Sequence, residues 1–225
     1  MAPVLAVIVL SLAQVSAAVA NDELKITGQV LYKSSTVASP SRAAEVDLTE
    51  IFDNNPAYMR IVALDLDKST GFGKELFAEA DRAAKKALAT VAKDIDVHVI
   101  TVLGGATGGT VDIEDVTEQV IAELPVYCVD GAVFHGSKRA TDNLVEMDRT
   151  QVLEAIPAYR KWLELDERDA DYYFLKEEYE KAYKAALRSV VRDNSITAVI
   201  ELGGVTSRLD PPEDITDQVV EALDG

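Results

Sequence analysis

Three groups of residues in this chain have types and spacings that chemistry can use. The first is "LGGATGGT" at 103–110, where clustered glycines suggest a loop whose backbone N–H groups cradle a phosphate. Its spacing matches neither G-x-G-x-x-G nor the P-loop with its Gly-Lys-Ser/Thr ending. A second copy, "LGGVTSRL" at 202–209, keeps the first Gly-Gly pair and loses the second, as expected of a strand bend or hairpin where φ is positive. The second group is acidic: "DIEDVTEQ" at 112–119 and "DPPEDITDQ" at 210–218 offer oxygen ligands for calcium, but not at the spacing of an EF-hand loop. Capping explains them without a metal, because Asp115 with Glu118, and Asp214 with Asp217, stand at N-cap and N3 spacing for a short helix.

The third group is the small set of nucleophiles and bases. His98 and His135 are the only histidines and Cys128 the only cysteine, and none has a partner at metal-ligand spacing. Cys128, in "PVYCV", reads as a small buried apolar residue. No pair of carboxylates stands apart from the acidic background as an acid and base couple. The expectation is a protein without catalytic residues, metal or cofactor.

Composition narrows the partners. A formal net charge of −17 in 225 residues repels polyphosphate and anionic lipid, which argues against nucleic acid and direct membrane adsorption. The opening "MAPVLAVIVLSLAQVSAAVA" has no charged side chain and ends in Ala18-Val19-Ala20, the small-x-small form of a cleavage site. Residues 1–20 are therefore expected to be a signal peptide cut after Ala20, with an uncleaved inner-membrane anchor facing the periplasm as the alternative.

Function has to be sought in the organisation that positions these residues, and that organisation is a duplication. "VDLTEIFDNNPAYM" at 46–59 returns as "MDRTQVLEAIPAYR" at 147–160, so that Pro56 falls on Pro157 at an offset of 101. "VHVITVLGGATGGTVDIEDVTEQVIAEL" from 97 returns as "ITAVIELGGVTSRLDPPEDITDQVVEAL" from 196, with Gly104 on Gly203 and Leu124 on Leu223 at an offset of 99. Two blocks in the same order indicate copying of a whole folding unit. Two copies make a tandem pair, 21–125 and 126–225, and not a solenoid.

Within each unit, Leu48, Ile51 and Phe52, or Val152, Leu153 and Ile156, mark a first helix. A helical hairpin follows, its second arm carrying Leu76, Ala80, Ala83, Ala87 and Val91, or Leu175, Tyr179, Tyr183, Ala186 and Val190, at helical spacing. β-branched runs "VHVITV" and "ITAVIE", the Gly-Gly pair and a final short helix complete it. Strand-like lead-ins, "LKITGQVLYK" and "VYCVDGAVFHG", are expected to extend the sheets. The fold class expected is α+β: two tandem repeats, each a small antiparallel β-sheet with a protruding helical hairpin and a short C-terminal helix.

"VDLTEIFDNNPAYMRI" and "MDRTQVLEAIPAYRKW" resemble the first strand and helix entry of the Skp/OmpH family of periplasmic chaperones, and "AVIELGGVTSRLDPPEDITDQVVEAL" is similar to that family's ending. The resemblance spans roughly 46–124 and 147–223. It implies a β body with helical tentacles, assembled as a trimer around a cavity for unfolded outer-membrane proteins, in the periplasm. Only 39 positions separate Pro157 from Ile196, so the tentacles here are shortened. Two units per chain allow a trimer or an intramolecular pseudo-dimer.

Unfolded or envelope proteins are then the expected partners, and Phe72, Phe77, Tyr172, Tyr173 and Phe174 the candidate client-binding residues. Packing within the hairpin is the competing role for these rings, with Tyr172 and Tyr173 beside a polar turn the better placed for exposure. The mixed charges of the second hairpin read as a solvated face. A non-catalytic envelope scaffold or adaptor for one folded partner is the alternative function.

Overall fold

A computed structural model describes residues 24–37, 41–108, 113–140 and 142–223. The expected signal peptide, 1–20, lies outside the described residues, as do Gly109 and Thr110 of the glycine-rich stretch. The chain divides between Pro125 and Val126 into two compact units.

In the first unit two short apolar runs form the centre of the sheet. β3 (Ala43–Val46) and β4 (Val99–Val102) are buried along nearly their whole length and pair in parallel, Ala44 opposite Ile100 and Val46 opposite Val102. Parallel neighbours cannot be joined by a tight turn and need a long crossover. Here the crossover is α1 (Leu48–Asp53), α2 (Pro56–Ala63) and α3 (Gly71–Asp94).

β2 (Val30–Lys33) adds antiparallel to the free edge of β4, and β6 (Glu114–Asp115) parallel to that of β3, giving the order β2-β4-β3-β6. β1 (Lys25–Ile26) and β5 (Ala106–Thr107) make a second, two-stranded antiparallel sheet, and α4 (Thr117–Ala122) ends the unit.

The second unit repeats this plan. β9 (Leu144–Met147) and β10 (Ala198–Glu201) pair in parallel across α5 (Arg149–Ala155), α6 (Pro157–Trp162) and α7 (Tyr172–Asp193). β8 (Val133–His135) flanks β10, while β7 (Tyr127–Val129) pairs with β11 (Val205–Ser207). The counterpart of β6 is reduced to one bridge between Glu146 and Asp214, and α8 (Thr216–Glu221) closes the unit.

The cores match position by position. Val46, Ile51, Leu88, Val91, Ile100 and Val120 are buried in the first cluster, and their counterparts Met147, Val152, Leu187, Val190, Val199 and Val219 in the second. Each such side chain contributes roughly 1.5–3 kcal/mol of apolar burial. The two-residue loss falls within the hairpin, where α6 has 6 residues against 8 in α2 and α7 has 22 against 24 in α3, and it leaves the core register intact.

The α+β class and the doubled plan are as the sequence led us to expect, while strand direction differs. Each main sheet is mixed and not antiparallel, because the hairpin of helices is itself the crossover between its two central strands. The Gly-Gly pair does not fold β5 back on β4; it turns the chain out of the main sheet onto the lead-in strand. The lead-ins are part of each repeat, with Gly28 corresponding to Gly131 and Val30 to Val133 at an offset of 103. Each long helix packs on the helix before it, and α3 buries Leu76, Ala80, Ala84, Leu88 and Val91 from its first turns to its last.

One departure between the copies predicts a stabilising change. Thr101 on β4 is fully buried and its hydroxyl has no hydrogen-bond partner, whereas the second unit has buried Ile200 at that place. Thr101→Val keeps the shape and removes the unsatisfied group, so stability is expected to rise by about 1 kcal/mol, read as a higher thermal midpoint.

Candidate functional site

The two Gly-Gly turns already hold an anion, and it is the protein's own. Glu45 on β3 accepts the Gly104 N–H through Oε2 at 2.9 Å and the Ala106 N–H through Oε1 at 2.7 Å. Glu146 on β9 accepts the Val205 N–H at 2.9 Å, together with a backbone bond from Gly203. Gly104 and Gly203 have φ of +72° and +76°, a left-handed turn in which the flanking N–H groups reach the carboxylate while the Gly105 and Gly204 N–H groups donate to the Val102 and Glu201 carbonyls at 2.9 Å each. The nest that resembles a phosphate cradle is thus filled by a strand carboxylate in both copies. Sequence reasoning passed over Glu45 and Glu146, although an acid inside an apolar strand ("AAEV", "LVEM") at the same place in both repeats was the available signal.

The acidic stretches do not form the expected N-caps: Asp115 and Asp214 stand one residue before the cap positions. Asp115 accepts the Thr117 N–H at 2.9 Å and its hydroxyl at 2.5 Å, and the Thr117 oxygen in turn accepts the Asp47 N–H at 2.8 Å. Asp214, Thr216 and Asp148 repeat the relay. The helix caps proper are Val116 and Ile215, neither with a side-chain bond, so each Asp fastens the short helix to the strand beside it. Among the described residues no group of three or more His, Cys, Asp or Glu is arranged to hold a metal.

His98 Nδ1 accepts the Ser41 N–H at 3.2 Å, a tie between the residue before β4 and the loop before β3. His135 is half-buried in β8 and Cys128 buried in β7. No described helix is long and apolar enough to cross a membrane.

The hairpins differ inside and agree at their turn ends. In the first, buried Asn55 accepts the Ala57 N–H at 3.1 Å and donates Nδ2 to the Ala80 carbonyl at 3.0 Å, clamping α2 to an alanine-lined α3. Ile156 stands there in the second, and aromatic packing replaces the clamp. The Tyr159 ring lies 5.1 Å from Tyr179 and 5.8 Å from Trp162, and Trp162 lies 5.4 Å from Tyr172. Burial pushes the Tyr179 and Tyr183 hydroxyls above the ordinary tyrosine value, so both stay neutral and serve packing.

Of the five candidate rings, Tyr173 and Phe174 are each 67% exposed and Phe72 is 40% exposed. Phe77 is half-buried with the Lys68 ammonium 4.6 Å from its centroid, and Tyr172 is half-buried against Trp162. Exposed Val62, Leu64 and Leu163 lie at the same ends and were not singled out from sequence. The signal was there: Val62 and Leu163 occupy one position of the repeat, at the offset of 101 that relates the prolines. Both hairpins therefore present aliphatic and aromatic side chains to water where α2 meets α3 and α6 meets α7. Comparison with protein-family models, with curated proteins and with solved structures finds no match to this chain.

Proposed function

We propose that this chain is an exported, non-catalytic client-binding protein of the cell envelope, a periplasmic chaperone of Skp/OmpH character with two shortened hairpins per chain. The observation that carries this reading is the exposure of Val62, Leu64 and Phe72 at one hairpin end and of Leu163, Tyr173 and Phe174 at the other. Large apolar side chains left in water at corresponding ends of two repeats are a recurrent mark of interaction surfaces. Unfolded outer-membrane or envelope proteins, which expose alternate apolar side chains, are the clients this surface suits. A trimer or an intramolecular pairing of the two units is the assembly that follows.

The test is light scattering of a urea-diluted outer-membrane barrel protein with and without the purified chain. Suppression of aggregation at a near-stoichiometric ratio is the expected result; unchanged scattering at excess chain would refute the chaperone reading.

A second reading is favoured by the size of the hairpins. α2 has 8 residues and α6 has 6, arms of about 12 and 9 Å at 1.5 Å per residue. Arms that short suit an adaptor that grips one folded partner better than a cage. A single saturable partner, with no effect on several unrelated unfolded chains, would favour it.

A further inference from the structure

The two hairpin turns differ in charge, and the difference points to the kind of segment the second would take. Between Leu163 and Tyr172 the chain carries Glu164, Asp166, Glu167, Asp169 and Asp171 against a single cation, Arg168, all exposed. Asp166 and Asp169 spend one oxygen each on backbone N–H groups of the turn. Among the described residues none of the five carboxylates forms an ion pair. The first turn has only Asp65, Asp67 and Lys68 in the corresponding place, and that lysine lies over Phe77.

The acidic turn joins the aromatic surface. Ring contacts run from Trp162 to Tyr172 at 5.4 Å and on to Tyr173 at 5.2 Å, so the exposed Tyr173 ring continues the packed cluster out to solvent. Leu163 and Phe174 widen the same end. Carboxylates and the faces of aromatic rings are both negative, and both attract ammonium and guanidinium groups. An apolar surface with an anionic border complements a chain that mixes apolar and cationic side chains.

We propose that residues 163–174 form a docking surface for basic amphipathic polypeptide segments, in which lysine or arginine flanks aromatic or aliphatic side chains. The proposal rests on the client-binding reading and narrows it to a charge class for one of the two hairpins.

Trp162, the only tryptophan of the chain, is half-buried beside this surface and supplies the readout. The full chain is titrated with a tryptophan-free peptide alternating lysine with leucine and phenylalanine, and separately with its glutamate counterpart. Expected is a saturable change in Trp162 emission with the lysine peptide, roughly tenfold weaker affinity on going from about 0.05 M to about 0.5 M salt, and no saturable change with the glutamate peptide. Glu164→Gln with Glu167→Gln and Asp171→Asn leaves the rings in place and is expected to weaken the lysine peptide roughly tenfold. Tyr173→Ser with Phe174→Ser should weaken it by at least as much.

Equal affinity for both peptides, no response to either, or a charge-neutralised variant that binds like the parent would overturn the proposal. If the chain still suppresses barrel-protein aggregation in any of those cases, client binding stands and only the charge selectivity falls. Loss of suppression in the parent chain removes the reading beneath it.

Discussion

Replacing Gly204 with alanine is expected to lower the stability of the second unit by about 3 kcal/mol, the upper end of the usual cost of overpacking. A Cβ at Gly204 would lie 2.5 Å from the Gly131 Cα and 2.8 Å from the Glu201 carbonyl oxygen. Both are backbone atoms, so no side-chain rotation relieves the overlap. The lead-in strand would have to lift away from the Gly204 carbonyl, which accepts the Asp130 and Gly131 N–H groups at 3.0 Å each. Urea unfolding followed by Trp162 emission reports on this unit, and the midpoint should fall by roughly 1–2 M. Gly203→Ala is the contrast: its Cβ meets open space, but its φ is +76°, so a loss of only about 1 kcal/mol is expected. Equal losses at the two positions would contradict the close approach of the two backbones.

Removing the Glu146 carboxylate is the second large effect. Glu146 is buried, and Glu146→Ala would leave the N–H groups of Gly203 and Val205 without their acceptor, at a cost of about 3 kcal/mol. Glu146→Gln keeps one acceptor oxygen and should cost less. The glutamine variant also tests a pH dependence of definite sign. Burial, helped by the nearby Asp214, outweighs the N–H bonds and raises the Glu146 carboxyl above its ordinary value of 4.5.

With a raised value, the folded chain keeps a proton that the unfolded chain has already released, and stability falls as pH rises through that window. The favourable contribution is complete below 4.5 and lost above the raised value. Glutamine has no such proton, so the stability of the variant relative to the parent should improve as pH rises from about 4 to about 8. A constant difference across that range would mean that Glu146 titrates as an ordinary carboxyl.

Much of the plan was legible because duplication writes the same constraint twice. Pro56 and Pro157 each begin a helix, and most of the apolar stripe of each long helix is buried, although Ala83 and Leu175 are only half-buried and Ala84 and Leu88, outside the stripe, are buried. Strand direction was not legible. A run such as "VHVITV" is apolar and β-branched in either orientation, and only the crossing of three helices between β3 and β4 makes the pair parallel. The lead-in strands escaped the repeat alignment because loops of unequal length shift Gly28 and Gly131 to an offset of 103, away from the offsets of the other blocks.

The candidate site was partly visible for a similar reason. Rings beside a polar turn pointed to Tyr172 and Tyr173, of which only Tyr173 is exposed, because whether a ring packs or projects depends on its partner across the hairpin. Trp162 takes the Tyr172 ring and Lys68 covers Phe77, while no ring contact covers Phe174 among the described residues, and it stands in water. Glu45 and Glu146 were hidden because a strand acid reads as a solvent-facing position until the turn that folds over it is known.

One comparison tests directly whether the hairpin ends are the client-binding surface. A variant with Val62, Leu64, Phe72, Leu163, Tyr173 and Phe174 all changed to serine alters exposed positions, and its far-ultraviolet circular dichroism and Trp162 emission establish that it folds. Scattering by a urea-diluted outer-membrane barrel protein is then followed with parent and variant at equal concentration. Suppression by the parent with most of it lost in the folded variant is the predicted result; a folded variant that suppresses aggregation as well as the parent would place the client surface elsewhere and contradict the account.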